Sequence, residues 1–538
     1  MRRALGLTLL LILTLPAPAA AQREREVRVV LLDVASEPAV SKRVLQSIAL
    51  RGGVGLVTET EPMAAVLENL RSTSDVSVLS LPGGGLFRDL ESVLRSRSDR
   101  ELLVLAIDRA AETDGSVMRL FMGRGTAGQL QRGRGTPPGL TSDTTRRAGV
   151  VSNIDLLPTA LEFLGAPIPD ELPGAPIRVE GEAPTELHER YLEYRRVVVP
   201  VGVAVLAFTL SALAVALVLL LTGRGGPGLS RLVAAWGVLG VSLQVALLPG
   251  SWLPTYRPWV VAVVLVAIGV AVAALAWWVG RGSPIRVPAA VAGLGLGLVV
   301  VDDLLGWRSL LTPLLGGSAL DGVRFYGLGN PYAGMVLAGA VLLAALLPPV
   351  GGLVLLLGAA LFAGLPFLGA DLGGGVTLLA VAGLWYGLRW RRSGWWALGG
   401  SVIGGVAGAI LLILAHRFLP GEPTHVTRAV EGAGGVTGVA EVFLDRLRLN
   451  LEATAATPAI WPALAGIPVA LWLALIRPGP FRAPLERFDE WRLGVIALAV
   501  GGMLGYVLND TYGMASVSFI YLALALVYPA LAERWTSA

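Results

Sequence analysis

The side chains best suited to chemistry sit in short polar segments that interrupt long apolar runs in the C-terminal two-thirds of the chain. They are Asp302-Asp303, Arg324-Phe325-Tyr326-Gly327-Leu328-Gly329-Asn330-Pro331-Tyr332, Asp371 before Gly373 to Gly375, His416-Arg417, His425 with Arg428, and Asn509-Asp510-Thr511-Tyr512. A polar group at membrane depth is costly, so it normally faces other protein or a wet cavity. Taken singly, each residue fits a helix cap, a loop end or an ion pair; as a set they point to one shared pocket. In that pocket His425 or an acidic residue such as Asp371 would serve as a base. Arg324 and Arg428 would hold phosphate through charge-assisted bonds. Tyr326, Asn330, Tyr332, Asp302, Asp303, Asn509 and Asp510 are the candidate substrate-binding groups.

Residues 324–334 carry the strongest local signal. Gly327 and Gly329 permit backbone turns, Asn330-Pro331 starts a helix, and the tyrosines supply interfacial rings with hydroxyl donors. This predicts a re-entrant or broken-helix entry whose N-terminal amides can receive an anion. A simple anchored loop accounts for the same residues. The G-x-G spacing is no nucleotide motif here, because no strand precedes it.

The elements that position these residues follow from hydropathy. Of 538 residues 54% are hydrophobic and 15% charged, and mean hydropathy is +0.67, too apolar for a water-soluble globule. Eleven candidate spans follow Arg195-Arg196, at roughly 197–222, 230–248, 259–280, 287–305, 329–347, 350–368, 372–390, 395–416, 458–476, 492–509 and 513–532. Arginine supplies the orientation: Arg224, Arg231, Arg281, Arg286, Arg389 to Arg392, Arg477 to Arg492 and Arg534 fall in alternate loops, which the positive-inside rule assigns to the cytoplasm. The polar segments then face outward and the C-terminus inward. Residues 440–452 place Glu441, Asp445, Arg448 and Glu452 on one helical face and Phe443, Leu444, Leu447 and Leu451 on another, the pattern of a helix lying on the membrane surface. The same pattern suits a helix packed on the soluble domain.

Before the spans, residues 1–21 read as a signal peptide: Arg2-Arg3, an apolar stretch from Ala4, then Ala19-Ala20-Ala21; an uncleaved first helix is the alternative. Residues 22–190 have the charge density of a soluble domain. Strand patterns at 27–34, 54–58, 76–81 and 102–107 alternate with helical stretches at 38–50, 62–70 and 87–96. This predicts a parallel sheet in a three-layer α/β domain outside the membrane. Cysteine is absent, so stability must come from packing.

The run LTSDTTRRAGVVSNIDLLPTALEFLGAPIPDELPGAPI, residues 140–177, resembles the C-terminal part of alkaline phosphatase and sulfatase superfamily domains: a strand leads through Asp155, Pro158 and Thr159 into a helix that ends at Leu164-Gly165. Asp155 is expected to cap that helix and Gly165 to terminate it. Leu31-Leu32-Asp33 is similar to the superfamily's first strand, whose terminal aspartate binds metal. The resemblance covers about a third of the chain and implies a metal-assisted esterase fold. The metal-binding histidines it requires are missing, since no histidine lies between Gln22 and Leu187. Asp33, with Asp108 or Asp114, is what remains for a divalent metal, and Thr58 or Thr60 for a nucleophile. The domain therefore reads as a non-catalytic relative, with an active metal-dependent phosphatase or sulfatase as the alternative.

Nothing in the composition points to nucleic acid, and no cofactor is evident. The expected setting is the plasma membrane of a bacterial-type envelope, and the expected partners are the bilayer and a lipid-linked or glycan substrate. A transporter or flippase, and a scaffold without chemistry, are the competing classes.

Overall fold

The computed structural model describes residues 25–32, 52–58, 63–73, 76–81, 101–108, 117–125, 138–169, 172, 174–182, 185–321, 324–419, 444, 447–448, 450–509 and 511–536. The chain divides into two compact units, residues 1–185 with 320–322, and residues 186–319 with 323–538.

Among the described residues the first unit has eight strands: β1 (Arg25–Leu32), β2 (Gly52–Thr58), β3 (Val76–Leu81), β4 (Glu101–Asp108), β5 (Val117–Gly125), β6 (Pro138–Ser142), β7 (Val150–Ser152) and β8 (Ile177–Glu182). They hydrogen-bond in the order β3-β1-β4-β5-β2-β6-β8, with β7 beside β2. The first four match the strands expected from sequence. The expectation of an all-parallel sheet is corrected. β1 pairs in parallel with β3 and β4, but β5 runs antiparallel between β4 and β2, and β8 is antiparallel to β6. Helices α1 (Met63–Arg71) and α2 (Leu156–Leu164) contribute Val66, Leu67, Leu70, Leu156, Ala160 and Phe163 to a core shared with Val27, Leu103, Leu105, Leu120 and Met122. The period of two in the strands and of three to four in the helices puts these side chains on one face. The helices expected at 38–50 and 87–96, and residues Asp33, Thr60 and Asp114, lie outside the described residues.

Residues 140–177 are organised by Asp155, which is fully buried and accepts four hydrogen bonds. Oδ2 receives Ser142 Oγ at 2.6 Å and Ser152 N at 2.8 Å; Oδ1 receives Thr144 Oγ1 at 2.5 Å and Ala175 N at 2.9 Å. The expected capping of its own helix does not occur, because its backbone is already helical and its carboxyl reaches back to Ser152. Gly165 does end α2, in the left-handed conformation at φ 73°. Thr159 links the helix to the next strand, donating to Asp155 O and accepting from Ile177 N. Gly174, at φ 91°, lies where a Cβ would come within 2.4 Å of Ile154 O, so only glycine lets this strand deliver the Ala175 N–H. Burial pushes the Asp155 carboxyl above the usual range, and the four hydrogen bonds oppose that shift.

The second unit is helical. Its elements are α3 (Thr185–Thr222), α4 (Pro227–Gly250), α5 (Pro258–Gly280), α6 (Arg286–Leu304), α7 (Asn330–Ala344), α8 (Pro349–Gly364), α9 (Leu372–Tyr386), α10 (Gly394–Phe418), α11 (Asn450–Ala456), α12 (Trp461–Ile476), α13 (Arg482–Arg487), α14 (Asp489–Leu508) and α15 (Gly513–Thr536). All eleven apolar segments are helical, but the expected eleven spans are corrected. Among the described residues eight helices are long and apolar enough to cross a bilayer: α3 to α6, α9 with the π turn that follows it, α10, α14 and α15. The chain is thus a multi-pass membrane protein. α12 reaches the necessary length only together with α11, across a 112° bend. α7 and α8, with 15 and 16 residues, measure about 22–24 Å, short of a hydrocarbon core of about 30 Å. The reason differs from a weak apolar signal: α7 is buried along nearly its whole length between α6, α8, α14 and α15, so it meets protein and has no bilayer thickness to match.

Helix starts and close approaches follow composition. Proline occupies the first turn of α4, α5, α7 and α8, where its missing N–H costs nothing. α9 and α10 approach at Gly383 and Gly400, where a Cβ on Gly383 would come within 1.9 Å of Gly400 O. Small residues permit such backbone contact between membrane helices.

Two ends of this unit are distinct. At one, Arg534 donates to Leu220 O and Arg224 O, Arg487 meets Glu533, and Arg389 pairs with Glu490 and donates to Leu347 O. Trp277, Tyr528 and Trp535 pack edge to face in series nearby. At the other, the 251–257, 305–318, 324–330 and 365–371 turns meet one another and Asn509 and Thr511. The alternation of arginine-rich and polar loops expected from sequence is therefore realised as two opposite ends of one bundle.

Because both Asp155 oxygens receive a backbone N–H, an amide cannot replace the carboxyl: in either orientation its NH2 faces an N–H. Asp155→Asn should destabilise the first unit by about 1–3 kcal/mol, read as roughly 5- to 150-fold faster proteolysis of that unit in the full-length protein. Unchanged proteolysis would contradict this account.

Candidate functional site

The polar end is assembled from turns that satisfy one another's backbone. Gly327, at φ 80°, presses on Gly369 so closely that a Cβ would lie 2.4 Å from Gly369 O, and Leu328 N donates to that same oxygen at 2.6 Å. Any other residue at 327 is excluded both by conformation and by space. Arg324 donates to Leu328 O at 2.6 Å, closing the turn from inside. Gly329 then leads into α7, whose second residue, Pro331, packs on Gly513 at the start of α15. Asn330 Nδ2 donates to Thr511 Oγ1 at 2.6 Å, so the N-termini of α7 and α15 are held side by side.

The remaining turns buttress these two. Asp371 is buried at the start of α9, where it accepts from Gly374 N at 3.2 Å and its own N–H donates to Ala363 O. Gly373 packs on Asn509, whose Nδ2 donates to Gly505 O at 3.1 Å. Asn450 of α11 donates to Tyr506 O at 2.5 Å and to Asn509 O at 3.4 Å. His416 contacts Gly364 O at 2.7 Å, joining the ends of α10 and α8.

Asp302 organises the other flank. It is fully buried; Oδ1 accepts from Trp252 Nε1 at 2.7 Å and Ser309 N at 3.0 Å, and Oδ2 from Ser309 Oγ at 2.5 Å. The neighbouring strap is fixed by Tyr256, whose hydroxyl contacts Ser251 O at 2.8 Å and Thr312 Oγ1 at 2.8 Å. Arg190 also donates to Thr312 Oγ1, at 2.9 Å. Burial pushes the Tyr256 phenol up, which keeps it a neutral donor.

Between these flanks lies a cavity of about 530 Å³. Arg324, Asn330, Tyr332, Thr511, Tyr512 and Ser516 give it polar character, Gly316, Gly317, Gly329 and Gly513 bring backbone to its wall, and Leu310, Leu315 and Val517 close it. Among the described residues no acidic side chain lines it. A guanidinium with two helix N-termini is an environment for an anion.

The predicted residues therefore separate. Arg324, Asn330 and Tyr332 share the cavity. Asp371, Asn509 and Asp302 do not line it; they hold the turns that shape it. Asp303 is partly exposed at the end of α6, and Tyr326 packs on the core beside the site. His425, Arg428 and Asp510 lie outside the described residues. Thr511, Tyr512, Ser516 and the Gly316-Gly317 pair complete the wall. Of these, Ser516 carried the least sequence signal, being one hydroxyl in the first turn of an apolar helix. In the first unit β4 ends at Asp108, level with Leu32 of β1. Among the described residues no group of three or more His, Cys, Asp or Glu side chains is placed to hold a metal.

The different hydrogen bonding of Asp302 and Asp155 leads to opposite expectations for the same substitution. At Asp302 both N–H donors converge on one oxygen and the other faces only a hydroxyl, which can reverse its bond. Asp302→Asn should thus be nearly neutral, whereas Asp302→Ala strands three donors and should cost about 2–4 kcal/mol, seen as a drop in the melting temperature of the detergent-solubilised protein. Equal effects of the two would refute the assignment.

No protein-family model, curated protein or solved structure matches the chain, so its function is inferred from the chemistry of this cavity.

Proposed function

We propose that the protein is a plasma-membrane component of a bacterial-type envelope that binds an anionic, lipid-linked envelope substrate in the cavity around Arg324, with the polar end of its helical unit facing outward. The observation that carries this is the cavity itself: one arginine and the starts of α7 and α15 surround about 530 Å³ whose described lining has no carboxylate. A phosphate or pyrophosphate head fits that field, because its oxygens accept both from a guanidinium fork and from main-chain N–H groups.

The outward orientation rests on arginine. Loops carrying Arg224, Arg389, Arg487 and Arg534 share one end of the bundle, the end the positive-inside rule retains in the cytoplasm. The shortness of α7 and α8 leaves this parity intact, since as a hairpin they return the chain to the same side whether or not each crosses. The first unit, behind its signal peptide, would then be extracytoplasmic, with helices on its sheet in the layered manner of phosphatase and sulfatase relatives. It would serve as a binding or scaffolding module: the Asp155 motif of that resemblance is spent on holding the chain together, not on metal.

Movement of the substrate across the bilayer is the alternative to chemistry on it. One feature favours it: α7 starts within the protein, as the interrupted helices of transporters do. Loss of transbilayer movement in an Arg324 variant would indicate transport, and loss of product with normal movement an enzyme.

Two measurements test the proposal. In purified full-length protein, Arg324→Ala should weaken binding of a long-chain polyprenyl phosphate by about 10- to 100-fold, with a smaller loss for Arg324→Lys; undiminished binding overturns it. Because the chain has no cysteine, single introduced thiols report topology without background. Leu305→Cys should react with an impermeant maleimide in intact cells, while Gly226→Cys and Gly394→Cys, at positions open enough for a side chain, should react only after permeabilisation. The reverse pattern refutes the orientation.

A further inference from the structure

Next to the Arg324 cavity lies a second one of about 240 Å³, between α3, α4, α12 and α15. Leu315, Tyr512, Ser516 and Val517 line both, so the two spaces share a wall. Their chemistry differs sharply. The first holds Arg324, Asn330 and Thr511; the second is walled by Leu206, Leu210, Leu247, Ile460, Phe519 and Ile520, with the Gln244 amide among its few polar groups. A charged chamber joined to an apolar cleft between membrane helices matches a molecule with an anionic head and a hydrocarbon chain.

We infer that the apolar cleft between α3, α4, α12 and α15 holds the hydrocarbon chain of the ligand whose phosphate head sits at Arg324, so that an intact lipid enters sideways from the bilayer rather than a head group from water. This rests on the anion site proposed above, and it adds the chain as part of what is recognised. Charge complementarity selects the occupant: among the described residues the polar end of the paired space carries a cation and no acid, so a lipid phosphate fits where a cationic or purely apolar lipid does not. The outer walls are suited to lateral entry, because Val203 on α3 and Trp461 on α12, each next in sequence to a lining residue, expose apolar surface. At its mouth Gly202 has no side chain, and a Cβ there meets nothing within 4 Å. That gap in an otherwise bulky apolar helix leaves an opening.

Gly202 also supplies a test that does not endanger folding. A larger residue there has room, and in mid-helix it replaces the residue with nearly the poorest helix propensity. Binding to purified full-length protein in micelles would be measured with a long-chain polyprenyl phosphate, with geranyl phosphate and with inorganic phosphate. Gly202→Phe, and independently Leu206→Trp, should weaken the long-chain ligand by about tenfold or more, because several methylenes lose their apolar site. Both should leave geranyl and inorganic phosphate at wild-type affinity. Val203→Phe, one residue along and outside the cleft, should change none of them. Long-chain binding unaffected by either cleft variant, or an equal loss for all three ligands, overturns the chain path. Retention of inorganic phosphate and long-chain binding by Arg324→Ala would instead overturn the anion site, so the two failures are told apart.

Discussion

The helical unit depends on one constraint: α7 is buried on nearly every side, and its first turn, held beside that of α15, is buried with it. A helix start carries N–H groups without intrahelical partners, and where it is buried such groups must be met by protein or by an enclosed polar space. Both answers are present. The approach to α7 is locked by Leu328 N on Gly369 O and by Asn330 on Thr511, while Arg324 and the start of α15 face the same cavity as the start of α7. The site thus arises from how the bundle terminates its central helix.

That arrangement makes the surrounding carboxylates structural. Asp371 stabilises the start of α9 against the 365–371 turn, and Asp302 gathers Trp252 and Ser309 to pin the strap from 305 to 314. Asp302 accepts three hydrogen bonds from its own neighbourhood and Asp371 one from Gly374 N, and each would repel an anion if it reached the cavity. With these two acids in the frame, Arg324 is the charged side chain among the described residues of the wall. At a shared dielectric a carboxylate beside Arg324 would cancel most of its attraction for phosphate.

The sequence was legible where function and fold depend on local spacing. The apolar runs, their alternating arginine loops and the Gly-Leu-Gly-Asn-Pro start of α7 could all be read directly, as could four strands of the first unit. Asp155 stood out for its place between Ile154 and Leu156-Leu157-Pro158-Thr159, although its partners Ser142 and Ala175, 13 and 20 residues away, could not be named. Illegible features were those set by distant contacts. Trp252 lies 50 residues before Asp302 and Thr511 lies 181 after Asn330, so neither hydrogen bond leaves a mark in local pattern. The same holds for the length of α7: its composition matches a spanning helix, and only its burial shows that no bilayer thickness acts on it. β5 escaped because its arginines, at 119 and 124, break the apolar alternation that marked the other strands.

Charge segregation along the bundle bears on mechanism as well as orientation. At the arginine-rich end, Arg281, Arg392 and Arg477 each adopt a left-handed conformation, Arg281 and Arg477 as caps of α5 and α12 and Arg392 after the π turn that extends α9. A cation at a helix C-terminus is favoured by the dipole, and a long side chain can carry its charge out to the interface, so these positions accept backbone strain that glycine would avoid. Three such caps gather at one end of the bundle. The opposite end carries its arginines differently, Arg257 before α5, Arg308 in the 305–318 turn and Arg417 in the last turn of α10; its α7 and α15 begin with Asn330 and Gly513, α9 begins with Leu372 behind Asp371, and their turns bond to one another. One end of the bundle is therefore marked by left-handed arginine caps, and the other is closed mainly by protein contacts around a cavity. If the proposed lipid phosphate binds at Arg324, that end is where its head must lie for its chain to remain in the adjoining leaflet.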